Sequence, residues 1–440
     1  MKRLKHIVRP MAVATIAAAA ITAVASPSVA AENGKFRLGV VTFLSGGAAG
    51  PFGVPSINGA KLLINALNEG KVPGPYGQKG INGLEIETVV IDENGGATKQ
   101  VEEFRNLAER HKVDAVVGYI SSGDCLAISP VAEELKVPTV MFDCGTSRLF
   151  EENKTPRYVF RTGLDAAIDN IGAARYVVDT NRKTSAVASI QQNYAWGQDS
   201  WADFRAALTQ LKPETKIATE QFPKLFQGQY GAEISAIAVS KPDVIHTSFW
   251  GGDMEAFVLQ GAARGLFDKS AAILTCGESA LDRLKGQAPN GLILGARGPF
   301  GAFAPKNELS EWFHKSYVAQ VEMAPSYPAY KMAQAILGLK AAAEKAAAGK
   351  TGIVPEKEKV LDAFTNLTFE SVSGTVAMSR ANGHQALQGI SYGEYRYDAK
   401  TKQASLANVK SYAGDCVTPP DGTTAAEWIK AGFPGAKCGN

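Results

Sequence analysis

Val113-Asp114-Ala115-Val116-Val117-Gly118-Tyr119-Ile120-Ser121-Ser122-Gly123-Asp124 is the stretch on which the fold turns. Apart from Asp114, Val113–Gly118 is an apolar run of the kind found in a strand buried on both faces, which is the habit of parallel sheets. A hydroxyl-rich turn follows it, and then Ala127–Leu135 reads as a helix. The next run, Val137–Phe142, is a strand that leads into a second polar turn, Asp143-Cys144-Gly145-Thr146-Ser147.

Outward from this stretch the chain keeps alternating. Phe36–Phe43 and Leu84–Ile91 read as strands, and Ser56–Asn68 and Ala97–Arg110 as helices. The series restarts at Tyr158–Arg161. It continues with helices over Asp165–Val178, Trp196–Leu211, Gly231–Val239 and Asp253–Ala263. Between them come strands over Ser185–Ile190, Thr215–Phe222, Val244–Ser248, Ala271–Thr275 and Leu292–Ala296. Two such series predict an α/β protein of two doubly wound parallel-sheet lobes. Helices are expected at Glu308–Gln320, Tyr330–Ala348 and Glu356–Thr365, with short β-like pieces at Thr375–Met378 and Gly393–Tyr397. Crossings near Thr162, Arg297 and Gly374 would make a three-strand hinge. That assigns 32–161 plus 298–374 to lobe one and 162–297 plus 375–440 to lobe two, with a tail over 398–440.

The start of the chain sets the compartment. Lys2, Arg3, Lys5 and Arg9 precede an apolar run from Met11 to Val24, and small residues follow at Ser28-Val29-Ala30-Ala31. This is the order of a cleaved secretory leader over 1–31. The apolar run is too short for a membrane span, which needs about 20 residues. Without the four leader cations the formal charge falls from +3 to near −1. A near-neutral chain has no general attraction for nucleic acid or acidic lipid.

An exported chain permits disulfides. Of the five cysteines, Cys416 and Cys438 bracket the tail, and Cys125 and Cys144 follow successive strands. Both pairs are expected to bridge, leaving Cys276 as a buried thiol. No metal site or cofactor is expected. Enzyme signatures are also missing: Gly349-Lys350-Thr351 follows a helix and lacks the earlier glycine of a phosphate loop. His111, His246, His314 and His384 are scattered singly.

The polar turns after strands are where ligands sit in open parallel sheets, facing helix N-termini that suit anions. Ser121, Ser122 and Thr146 lie in two such turns, as carboxylate donors or as plain helix caps. In lobe two, Trp196 and Trp250 follow strands as candidate pocket walls. Glu278 follows another, either to pair an ammonium or to complement a helix dipole.

Several segments together carry a resemblance. "RLGVVTFLSGGAAGPFG" (37–53), "NGAKLLINALN" (58–68), "VVIDENGGATKQVEEFRNLAERHKVDAVVGYISSG" (89–123), "VFRTGLD" (159–165) and "QGAARGL" (260–266) resemble, in order and spacing, the periplasmic substrate-binding proteins of branched-chain amino acid ABC transporters. The resemblance runs from Phe36 to about Tyr397. It implies a type I periplasmic binding fold in the periplasm, a monomer that closes on a small molecule and delivers it to an ABC membrane permease. It implies that Ser122 and Thr146 hold an α-carboxylate with Ile120 and Cys144 as backbone partners, and that Glu278 holds an α-amine. Phe52, Trp196, Trp250 and Tyr327 fall at wall positions. Trp196 and Trp250 stand where the family has tyrosines, which favours a bulkier amino acid or an aromatic carboxylate as cargo. The competing readings are a sensor of amides or other small solutes that feeds a signalling system, and an exported α/β hydrolase.

Overall fold

The computed structural model describes residues 34–438. The expected leader and its cleavage point lie outside these residues. Fifteen strands form two sheets. In chain order they are β1 Lys35–Thr42, β2 Glu85–Asp92, β3 Ala115–Gly118, β4 Thr139–Met141, β5 Val159–Arg161, β6 Ala186–Ile190, β7 Lys216–Gln221 and β8 Val244–Thr247. Then come β9 Ala271–Leu274, β10 Ile293–Gly295, β11 Thr368–Ser371, β12 Gly374–Arg380, β13 Gln385–Leu387, β14 Ile390–Asp398 and β15 Gln403–Tyr412.

The first sheet runs β11-β12-β13-β5-β4-β3-β1-β2 and the second β15-β14-β10-β9-β8-β6-β7. Strands β1 to β5 are mutually parallel, as are β6 to β10. Each sheet has a point where strand order reverses, at β1 in the first and at β6 in the second. Those switch points open crevices at the carboxyl ends of the strands. The central strands β3 and β4 are buried along their whole length, in keeping with the apolar runs that encode them.

Helices cover both sheets. The longest, Tyr327–Ala347, is buried along most of its length and packs on the helix Val54–Glu69. Contact is close because Gly59 has no side chain: a Cβ there would stand 2.9 Å from the Ala329 carbonyl oxygen.

The chain passes from the first sheet to the second after β5 and returns after β10. The third crossing differs. β12 and β13 belong to the first sheet, so the chain passes over between Leu387 and Ile390 rather than at Gly374. The reason is a hairpin. β11 and β12 pair antiparallel, β13 folds back on β12, and Gln385 then pairs with Arg161 to extend the parallel sheet. Lobe two therefore takes residues from β14 onward, not from 375. The helix read over Ala127–Leu135 begins earlier, at Ser122, because the Ser121 hydroxyl accepts the Asp124 N–H at 3.4 Å and caps it. Helix capping thus accounts for Ser121.

Both expected disulfides are present, Cys125–Cys144 and Cys416–Cys438, and Cys276 is a buried free thiol. Among the described residues no helix is long and apolar enough to cross a membrane, and no cluster of His, Cys, Asp and Glu could hold a metal ion.

Candidate functional site

The carboxyl ends of both sheets face each other, and the loops after β1, β3, β4, β6, β8, β9 and β10 meet at one point. Phe52, Ile120, Ser122, Gly145, Tyr194, Trp196, Trp250, Cys276 and Arg297 surround it. The side chains nearly fill the space: about 10 Å³ is left, room for roughly one water. Any larger solute requires these walls to part.

The aromatic walls interlock across the lobes. The Phe52 ring centroid lies 5.3 Å from Trp250 and 5.3 Å from Tyr327, edge to face in both cases. Phe226, from the loop after β7, packs on Trp250 at 5.3 Å and on Phe43 at 6.4 Å. Such pairs contribute about 0.5–1.5 kcal/mol each beyond their buried area.

Both indoles have spent their polar handle. Trp196 Nε1 donates to the Ser248 carbonyl at 2.8 Å, and Trp250 Nε1 donates to the Tyr194 hydroxyl at 2.7 Å. They present carbon faces to the cavity. The Tyr194 hydroxyl accepts that bond, so its own hydrogen is left to donate. Ser122 is similar. Its Oγ accepts the backbone N–H groups of Gly145 at 3.2 Å and Thr146 at 3.1 Å, leaving its hydrogen free.

Arg297 supplies the charge. Its guanidinium lies 4.3 Å over the Trp196 ring, a cation–π contact in a buried place. Its nitrogens bind Asp169 at 2.9 Å, Asp143 at 2.7 Å and the Leu164 carbonyl at 3.0 Å. Burial works against its charge, but Asp169 and Asp143 more than offset it and hold the proton tightly. Lys331 adds a second cation on Asp143 at 2.8 Å, and burial pulls its pKa down to about 8. Gly145 makes the arrangement possible: a Cβ there would lie 2.3 Å from the Trp196 ring and 2.4 Å from Arg297 Nη2.

Of the residues singled out from sequence, Phe52, Ile120, Ser122, Trp196 and Trp250 line the cavity. Tyr327 packs behind Phe52. Cys144 reaches the site only through its backbone: its sulfur is in the disulfide, and its carbonyl accepts from Arg161 at 3.2 Å. Thr146 faces across the lobes, donating its hydroxyl to Asp199 at 2.6 Å, and Arg148 joins the same carboxylate at 2.7 and 3.0 Å. Ile120 and Ser121 give their N–H groups to the buried Glu93 carboxylate at 2.7–3.0 Å. Those two amides already hold an internal acid, which burial and neighbouring Asp124 push toward its neutral form.

Glu278 is bonded to two backbone N–H groups. Its Oε1 accepts the Ala302 N–H at 2.9 Å and its Oε2 accepts the Tyr327 N–H at 2.8 Å. Both oxygens are committed to lobe one, and the side chain is not part of the cavity lining. Tyr194, Cys276, Gly145 and Arg297 are the lining residues that sequence reasoning did not place there. Position after a strand end was the signal for all four.

His246 is a core residue. It stacks on Phe204 at 4.0 Å and bonds Gln191 and Asn170, and burial drives its pKa down to about 3.

The sequence matches the family model described as periplasmic binding protein over residues 35–401. The chain belongs to this family. Solved structures agree on the fold of this periplasmic binding protein. A solute-binding protein of an ABC transporter from R. palustris, in complex with benzoate, superposes with a TM-score of 0.72 at 20% identity, covering 86% of this chain and 98% of the other. One from Rhodopseudomonas palustris BisB5, in complex with 3,4-dihydroxybenzoic acid, gives 0.73 at 21% identity, with 88% and 99% coverage. A leucine-binding protein from Thermotoga maritima gives 0.69 at 19% identity, with 85% and 98% coverage. A search of curated proteins finds no match.

Proposed function

We propose that this periplasmic binding protein captures a small carboxylate with a flat apolar body, an aromatic acid before an amino acid, and presents it to an ABC permease. One observation carries the choice. The cavity offers two hydroxyl donors, Ser122 and Tyr194, a guanidinium and bare aromatic faces, while no acidic side chain lines it. A carboxylate finds donors there, but an α-ammonium finds no counter-charge and would carry a desolvation cost.

Capture works by hinge closure. Ser122 and Phe52 belong to lobe one, and Tyr194, Trp196 and Trp250 to lobe two. Only the closed arrangement lets a solute touch both sets, so the solute favours it. Thr146–Asp199 and Glu278–Tyr327 then act as clasps on either side of the cavity. Binding without turnover fits the surroundings of Ser122, since no histidine lines the cavity to act as its base. Two R. palustris proteins of the same fold hold benzoates, which supports the cargo class. The leader-like start supports export to the periplasm.

Thermal shift and calorimetry with benzoate, 4-hydroxybenzoate, L-leucine and L-phenylalanine test the reading, because a ligand raises apparent stability by mass action. Stabilisation by the benzoates alone is the expected result. Binding of the amino acids with no response to benzoates would overturn it.

A further inference from the structure

We propose that a second ligand site lies at the hinge, between the loop after β4 and the C-terminal tail, and takes a small organic carboxylate with an apolar body. A cavity of about 240 Å³ opens there, well apart from the aromatic cavity in its lining. Ser147 and Arg161 come from lobe one, Arg380 from the end of β12, and Thr418 from the tail of lobe two.

Unspent hydrogen-bond capacity sets the ligand class. Thr418 is only 5% exposed, and its Oγ1 has no partner. Ser147 Oγ and Arg380 Nε are likewise buried and unpartnered. Buried polar groups left in this way are costly, and their natural complement is a ligand or water. Three acids also line the cavity, and two of them are engaged. Asp421 accepts the N–H groups of Ala381 at 2.7 Å and Asn382 at 3.2 Å. Asp165 caps a helix through the Ile168 N–H at 3.2 Å and sits 3.5 Å from Arg161. Burial and the neighbouring Asp165 raise the pKa of Glu151. What remains is donor-rich, so the ligand must bring acceptors. Phe150 and the Pro419-Pro420 pair supply the apolar side.

The site touches the solute cavity through one side chain. Arg161 Nη1 donates to the carbonyls of Cys144 at 3.2 Å and Thr146 at 2.7 Å, in the turn after β4 whose Gly145 and Thr146 N–H groups bond Ser122 Oγ. An occupant that contacts both lobes also favours the arrangement in which they face one another.

Calorimetric titration with benzoate and with hexanoate tests the proposal in three proteins: wild type, the near-isosteric pair Ser147→Ala with Thr418→Val, and Ser122→Ala. The wild type is expected to show a binding event that Ser122→Ala leaves intact and the hinge pair weakens at least about tenfold. Arg380→Lys, which keeps a charge facing Asp415, is the second hinge variant and should weaken the same event. The proposal is overturned if neither carboxylate gives such an event at millimolar concentration, or if both hinge variants bind as the wild type does. Loss of the Ser122-dependent event alone bears on the aromatic cavity and not on the hinge.

Discussion

The Glu278 carboxylate, just past β9 in lobe two, accepts the backbone N–H of Tyr327 at 2.8 Å, where the longest helix of lobe one begins. This is a buried acid serving as a latch between lobes, at the positive end of a helix dipole. Burial pushes its pKa from an ordinary 4.5 up to about 7, with the Tyr327 and Ala302 N–H groups pulling the other way. A raised folded-state pKa means that the folded form prefers the proton. The contribution is full below about pH 4.5 and is lost as pH rises through about 7. It amounts to at most about 3 kcal/mol. The melting temperature should therefore fall between about pH 5 and 8. Asp124, raised by burial to about 6, has the same sign, so the comparison with Glu278→Gln isolates the latch. The variant should show a flatter profile, and an identical slope would exclude Glu278 as the titrating group.

Asp199 closes the other side of the cleft, holding Thr146 and Arg148 from lobe one. Arg148 is partly exposed, so screening reduces the pair, and the clasp should contribute about 1–2 kcal/mol. Asp199→Ala should shift the lobes toward the open form. Small-angle scattering would read this as a larger radius of gyration, and stopped-flow as faster solute release. An unchanged radius and release rate would show that the clasp does not govern closure.

Ser122 is the donor most directly aimed at a carboxylate, and two backbone N–H groups fix its oxygen. Ser122→Ala removes the free hydrogen and also orphans both amides. Affinity for a carboxylate solute should drop about tenfold or more, given roughly 1–3 kcal/mol for a buried polar group left unpaired. Trp196→Leu should weaken aromatic acids far more than aliphatic ones of equal length, which competition calorimetry can measure.

Arg297 separates two buried acids, and among the described residues Asp169 has no other cation on it. Arg297→Met should cost about 3–5 kcal/mol of stability by leaving Asp169 without its cation. Denaturant unfolding would show this as a lower midpoint. Asp143 keeps Lys331, so adding Asp169→Asn should restore much of the loss. No recovery in the double variant would mean that the Trp196 stack, rather than the ion pair, carries the effect.

Much of the architecture was legible because parallel strands buried on both faces leave unmistakable apolar runs, as at Val113–Gly118 and Val137–Phe142. The hairpin of β11 and β12 was harder. Glu370 and Thr375 point to solvent on an edge, so the segment lacks the pattern that would assign it to either sheet. Trp196 and Trp250 could be placed from strand ends, while Phe52 and Tyr327 came only from the family resemblance. The partners of Thr146 and Glu278 could not be placed, because a hydroxyl or carboxylate after a strand looks the same whether it faces a solute or the opposite lobe. Arg297 was read only as a crossing. Its part in the cavity depends on Asp143 and Asp169, which lie 154 and 128 residues away in sequence.

The pairing of Gln385 with Arg161 has a consequence for how the chain matures. Sheet one is finished by strands that lie more than 200 residues beyond its first five. Until they arrive, the edge of β5 stays unpaired and the helix Val54–Glu69 lacks its cover from Tyr327–Ala347. Such long-range closure is slow. A nascent chain thus cannot lock its leading half into a stable body until its last quarter has been made.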